Sequence, residues 1–176
     1  MLSNYKYSHK LLLGESMKVI QNGNQIIVYQ NKYALETVDF DNNELEEQLR
    51  TLFLKLRQDY EIQIKGYYNI DVYTDDAYGS IIELNKEEIE YFDYFDNEID
   101  MRIILHDPKS FLYCLSDPFS IPSKLRNKLN IYWKENKAYA EIKKPMYNLE
   151  IGQLLEFSDL EYANNEIILK HAKQVY

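Results

Sequence analysis

The side chains of this sequence that could do chemistry crowd into one acidic, aromatic run. Between residues 87 and 100, Glu87, Glu88, Glu90, Asp93, Asp96, Glu98 and Asp100 are interleaved with Ile89, Tyr91, Phe92, Tyr94 and Phe95, and Lys86 is the only base beside them. Carboxylates at this density can steer a basic partner, while Tyr91 and Tyr94 can supply rigid contact area. A glycosidase pair must face each other across a substrate, which acids crowded on one short run do not. The run also lacks the Asp/Asn-x-Asp spacing and central glycine of a calcium loop. Two readings stay open. One is a solvated edge or helix start with Phe92 and Phe95 turned into the core. The other is a docking surface made by Glu88, Glu90, Tyr91, Asp93, Tyr94 and Asp96, with Tyr67 and Tyr73 adding to the patch.

Other reactive residues form no constellation. Zinc needs three or four Cys/His ligands at close spacing, and the chain holds only His9, His106, His171 and Cys114. Phosphate-cradling loops need clustered glycines. Here Gly14, Gly23, Gly66, Gly79 and Gly152 are far apart, which also excludes a Gly-x-Ser-x-Gly elbow. His106-Asp107 resembles the metal-binding pair of metal-dependent phosphohydrolases, but Pro108 follows at once and turns the pair into a turn signal. If that turn closes a hairpin, Cys114 lies three residues beyond the position opposite His106, about 10 Å away at ~3.3 Å per residue, and the two cannot act as a nucleophile pair. Cys114, between Tyr113 and Leu115, reads as a small buried hydrophobe. No catalytic residue, metal or cofactor is expected.

The elements that must carry these residues can be read from periodicity. Met17–Gln21 and Gln25–Gln30 flank Asn22-Gly23-Asn24, a hairpin signal. Leu45, Leu49, Leu52, Phe53 and Leu56 form a helical stripe. Asp41 and Glu44 have capping-box spacing, and the helix is expected over about 42–60. From 62 to 74 the period becomes two. Ile62, Ile64, Tyr68, Ile70 and Val72 share one face, and Gln63, Lys65, Tyr67, Asn69, Asp71 and Tyr73 the other, so a long strand with one buried face is expected. Gly66 marks a bulge or bend. Asp75–Gly79 is a turn returning into a strand over Ser80–Leu84. Met101–Leu105 and Phe111–Leu115 read as a strand–turn–strand, Ser123–Leu129 as a short helix, and Ile131–Trp133 with Ala138–Ile142 as another hairpin around Glu135-Asn136-Lys137. After Leu149 neither period is clean. The pattern is α+β: antiparallel hairpins forming a sheet, with one dominant amphipathic helix packed on it.

Length and charge bound the function. The chain has 176 residues, 20 Lys and Arg against 29 Asp and Glu, and a net charge of −9. One domain over 17–176 is expected, with residues 1–16 a leader upstream of a natural start at Met17 or a loose tail. An acidic chain repels phosphate backbones. Lys124, Arg126 and Lys128, with Lys134 and Lys137, form only a small basic cluster among alternating polar residues and read as solvated surface. No run reaches the ~20 apolar residues that span a bilayer, and a lone cysteine suits a reducing compartment. Tyrosine is abundant at 17 residues; an AT-rich bacterial genome and an interaction surface both account for it. The expectation is a cytoplasmic interaction module (adaptor, regulator or inhibitor) that docks a basic protein and binds neither nucleic acid nor membrane. The alternatives are an enzyme or small-ligand binder with a carboxylate/tyrosine site assembled from several hairpins, and a structural subunit that self-associates into a homo-oligomer.

Overall fold

The computed structural model describes residues 17–32, 44–88 and 99–175. The fold is α+β, with two mostly antiparallel sheets of five strands each. The chain divides into two compact units. Of the described residues, 17–32, 44–72, 81–88 and 99–105 belong to the first, and 73–80 and 106–175 to the second.

In the first unit, β1 (Met17–Asn22) and β2 (Gln25–Asn31) form the expected hairpin, with Met17 opposite Gln30 and Asn22 opposite Gln25. Gly23 supplies its turn with a positive φ of +57°. Helix α1 (Leu45–Asp59) follows, and Leu49, Leu52, Phe53 and Leu56 bury its stripe against Ile26, Val28, Ile70, Val72, Ile82 and Leu84. Glu46 and Glu47 occupy the first turn and Arg57 the last, as the macrodipole favours. Glu44 is the N-cap residue itself and makes no side-chain cap. This corrects the capping box, which put Glu44 at the third helical position; Asp41 lies outside the described residues.

The helix closes where the Ile62 N–H reaches the Leu56 carbonyl at 3.0 Å, with Glu61 at φ +56°. A left-handed residue with a Cβ costs ~1–2 kcal/mol, of which glycine's extra freedom in the unfolded chain returns only part. Glu61→Gly is therefore expected to stabilise the protein by about 0.5–1 kcal/mol, read as a rise in the urea midpoint.

The long strand begins later than its alternation suggests. Residues 61–65 are irregular, although Ile64 is buried, and β3 runs Gly66–Asp75. The reason lies at Gly66. Its φ is +97°, and a Cβ there would come 3.2 Å from Lys86 Cε, so the chain bends at this point and the regular ladder starts after it. From Tyr68 the expected face holds: Tyr68, Ile70 and Val72 are buried. A short turn leads into β4 (Gly79–Glu87), and β5 (Ile99–Leu105) completes the sheet in the order β1-β2-β4-β3-β5.

Strand β5 overturns one expectation. It pairs in parallel with β3, with Gly66 opposite Ile99 and Val72 opposite Leu105. It does not form a hairpin with β6 (Leu112–Leu115), which lies in the other sheet between β8 (Lys137–Ile142) and β9 (Ser158–Glu161). The sequence 101–115 has the alternation of a hairpin on each side of a Pro-containing turn. Alternation fixes which face is buried but not which neighbour supplies the hydrogen bonds.

The second sheet has the order β10-β7-β8-β6-β9, with β7 at Leu129–Lys134 and β10 at Lys173–Gln174. The β7–β8 hairpin turns where expected, Glu135 and Asn136 both taking left-handed φ (48° and 64°). Helix α2 is short, at Ser123–Arg126. The ambiguous tail resolves into α3 (Asn148–Glu156), β9, α4 (Asn165–His171) and β10. Helix α3 begins at a half-buried ion pair. Glu150 takes the Tyr147 N–H at 2.9 Å, and both of its oxygens take Lys128 Nζ at 2.8 Å. Those bonds hold its carboxyl below the usual glutamate range.

Candidate functional site

The sheet of the first unit has two unlike faces. One packs on α1. On the other, strand parity and register gather Lys18 and Ile20 of β1, Ile27 and Tyr29 of β2, Glu83, Asn85 and Glu87 of β4, Tyr67, Asn69 and Asp71 of β3, and Asp100, Arg102 and Ile104 of β5. The parallel register sets Tyr67 beside Asp100, Asn69 beside Arg102 and Asp71 beside Ile104. Asp100, Arg102 and Glu87 are exposed, and Ile104 is 42% exposed. Tyr29, Tyr67, Asp71 and Glu83 are half-buried.

Charge on this face is unbalanced. Asp71, Glu83, Glu87 and Asp100 outnumber Lys18 and Arg102. Polar contacts hold the surface in shape: Asn69 donates to the Glu87 carboxylate, and Gln25 donates to Asn85 at 3.0 Å. At the end of β4, exposed Glu88 receives Asn24 Nδ2 at 3.5 Å. The Lys18 ammonium lies 5.7 Å from the Tyr29 ring centroid, a cation–π distance.

Of the residues singled out from the sequence, Tyr67 thus sits on this face, and Glu88 lies just past the end of β4. Glu90, Tyr91, Asp93, Tyr94 and Asp96 lie outside the described residues. Tyr73 is placed elsewhere, in the second unit, at 8% exposure. Its ring stacks on His106 (centroids 4.3 Å apart, planes within 4°) and tilts against Tyr162 at 5.0 Å. Tyr73 is therefore core. Asp71, Glu83, Glu87 and Asp100 were missed as a group because they come from three strands. Only the sheet order, which sets β3 between β4 and β5, unites them, and no linear pattern records it.

The second unit has its own polar cluster. Asp75 is 9% exposed. Its Oδ1 accepts the N–H groups of Ala77 (2.7 Å) and Tyr78, and its Oδ2 that of Phe111 at 2.8 Å. Burial pushes its carboxyl up, and the backbone donors offset part of that. Beside it the buried Tyr113 hydroxyl is pushed well up, first by burial and then by the nearby Asp75 carboxylate, so it stays a neutral phenol. The Cys114 thiol is also raised, chiefly by burial, and is held as the poorly nucleophilic protonated form. His106 leads the irregular segment 106–110, whose Lys109 N–H bonds to the Thr74 carbonyl at 3.1 Å. With β5 and β6 in different sheets, the hairpin distance between His106 and Cys114 no longer applies. What this cluster does is tie the β3–β4 turn to the start of β6.

The basic cluster is put to internal use in part. Arg126 Nη2 donates to the carbonyls of Phe119 (3.0 Å) and Ile121 (3.1 Å), and Lys128 is bound to Glu150. Among the described residues, no group of three or more His, Cys, Asp or Glu side chains could hold a metal ion, and no helix is long and apolar enough to cross a membrane. Comparisons with protein-family models, curated proteins and solved structures returned no match.

Proposed function

We propose that this chain is a non-enzymatic, cytoplasmic protein-interaction module, and that the acidic, tyrosine-bearing face of its first sheet docks a protein with a basic surface. The observation that carries the proposal is the register. Pairing β3 with β5 brings Tyr67, Asp71, Asp100 and Ile104 into adjacent positions on the face opposite the helix. Carboxylates there raise the encounter rate, while the tyrosine ring and isoleucine side chain offer contact area once the partner is seated. Glu87 of this face also opens the acidic, aromatic run of the sequence.

Charge reversal tests this directly. Asp71→Lys with Asp100→Lys is expected to slow association with a Lys/Arg-rich peptide bearing aromatic side chains by about tenfold or more at low salt, with dissociation much less affected. The wild-type rate should fall steeply as salt is added. Association that is indifferent to both the substitutions and the salt would refute electrostatic docking on this face.

A further inference from the structure

A second surface of the first unit has the opposite chemistry. Arg50, Phe53, Leu54 and Arg57 recur along α1 at the i, i+3, i+4 and i+7 positions, so they line one ridge of the helix. Past the helix end, Gln63, Ile64 and Lys65 run beside that ridge. The pairing of Gly66 with Ile99 brings the first residue of β5 to the same place. Between them lies an open groove of about 620 Å³. Among the described residues no carboxylate lines it. Its floor is apolar, with Phe53 and Ile64 nearly buried and Leu54 58% exposed. Arg50 is held by Glu46 at 2.7 Å, an exposed pair of the kind that competes weakly with an incoming carboxylate. Among the described residues Arg57 and Lys65 have no ion pair.

On a chain of net charge −9, a cation-rimmed groove with an apolar floor is a local reversal of sign. The spacing decides what fits it. Arg50 and Arg57 are seven residues apart on one helix face, about 10 Å at ~1.5 Å per residue, with Phe53 and Leu54 between them. A small ligand with one anionic head engages only one of these cations. A helical segment with carboxylates two turns apart and apolar side chains between them engages both and covers the floor. We propose that this groove is a second docking site, and that its occupant is an acidic amphipathic segment of a partner protein, laid along α1 in the helix-in-groove manner. The site lies on the helix side of the sheet, away from the acidic face. It gives the unit two interfaces of opposite sign, and it stands or falls independently of the first.

The probe is a labelled amphipathic peptide with two glutamates two helical turns apart bracketing leucine and phenylalanine, together with its glutamine counterpart. Fluorescence anisotropy should show the acidic peptide binding the full-length protein. Arg57→Glu combined with Lys65→Glu should weaken binding about tenfold or more, as should the glutamine peptide, and added salt should weaken it further. Asp71→Lys with Asp100→Lys, on the other face, should leave it unweakened. Both groove positions are exposed, and thermal melts will confirm that the variant folds. Methyl NMR on the wild-type protein gives the same test without substitution, because Leu54, Ile64 and Ile99 must shift first. Failure of the acidic peptide to bind, equal affinity for the groove variant, or shifts confined to other surfaces would overturn the proposal. So would light scattering that shows self-association abolished by Leu54→Asp, since the occupant would then be a second copy.

Discussion

Asp75→Ala is expected to destabilise the second unit strongly, by roughly 3 kcal/mol or more. Three backbone N–H groups, from Ala77, Tyr78 and Phe111, converge on this carboxylate. Alanine leaves all three without this acceptor, those of Tyr78 and Phe111 in a buried setting, and each orphaned buried donor costs about 1–3 kcal/mol. Asp75→Asn should cost less, since its amide oxygen can keep the Ala77 and Tyr78 bonds while its NH₂ opposes the Phe111 N–H. The two variants therefore separate the turn contacts from the contact that holds the start of β6. Urea titration followed by circular dichroism measures both. Equal, small losses would mean that water reaches these amides.

The same residue sets a pH dependence. Burial raises the folded-state carboxyl above its unfolded value. The folded chain thus takes up this proton at a higher pH than the unfolded chain does. In the window between the unfolded and folded values, lowering the pH adds stability through this group, and raising it removes stability. Other carboxylates contribute with the opposite sign, Glu150 among them, because its folded value is depressed. The difference in unfolding free energy between the wild type and Asp75→Asn isolates the one group. That difference should shift in favour of the wild type as pH falls through the window.

The second large effect is expected in the helix of the first unit. Leu52 is 0% exposed and packs in the cluster that joins α1 to the sheet. Leu52→Ala removes buried methyl groups and leaves a cavity, at a cost of about 2–5 kcal/mol. Leu54, two residues away on the same helix, is 58% exposed. Leu54→Ala should change stability by less than about 0.5 kcal/mol. The pair tests whether one helical stripe holds this unit together. Similar losses at both positions would place the buried face elsewhere.

What could be read from the sequence follows from where the information sits. The stripe Leu49, Leu52, Phe53 and Leu56 encodes a helix and its buried face in local spacing alone, and α1 occupies the range expected apart from its ends. Asn22-Gly23-Asn24 and Glu135-Asn136 mark hairpins because a tight turn demands particular backbone angles of particular residues. The alternation from Tyr68 to Val72 likewise fixed a buried face. Long-range pairing is encoded differently. Nothing local in 99–105 shows that this strand runs parallel to β3, or that Leu112–Leu115 goes to another sheet. Tyr73 shows the same limit. Its parity matched Tyr67 and Asp71, yet it is buried against His106 and Tyr162, residues distant in sequence from it. The tail after Leu149 had no clear period because its elements are short, and α3 depends on Lys128, far away in the chain, to hold Glu150 in place.

The docking face is the part of the account that most needs measurement. The direct test is an amide NMR titration of the full chain with the Lys/Arg-rich aromatic peptide. Shifts are predicted to begin at Tyr67, Asp71, Glu83, Asp100 and Ile104, and to leave the acids of the second sheet, Asp159 and Glu161, unaffected until much higher peptide concentration. Shifts spread evenly over acids of both units would show that the peptide senses only net charge, and would contradict a dedicated docking surface.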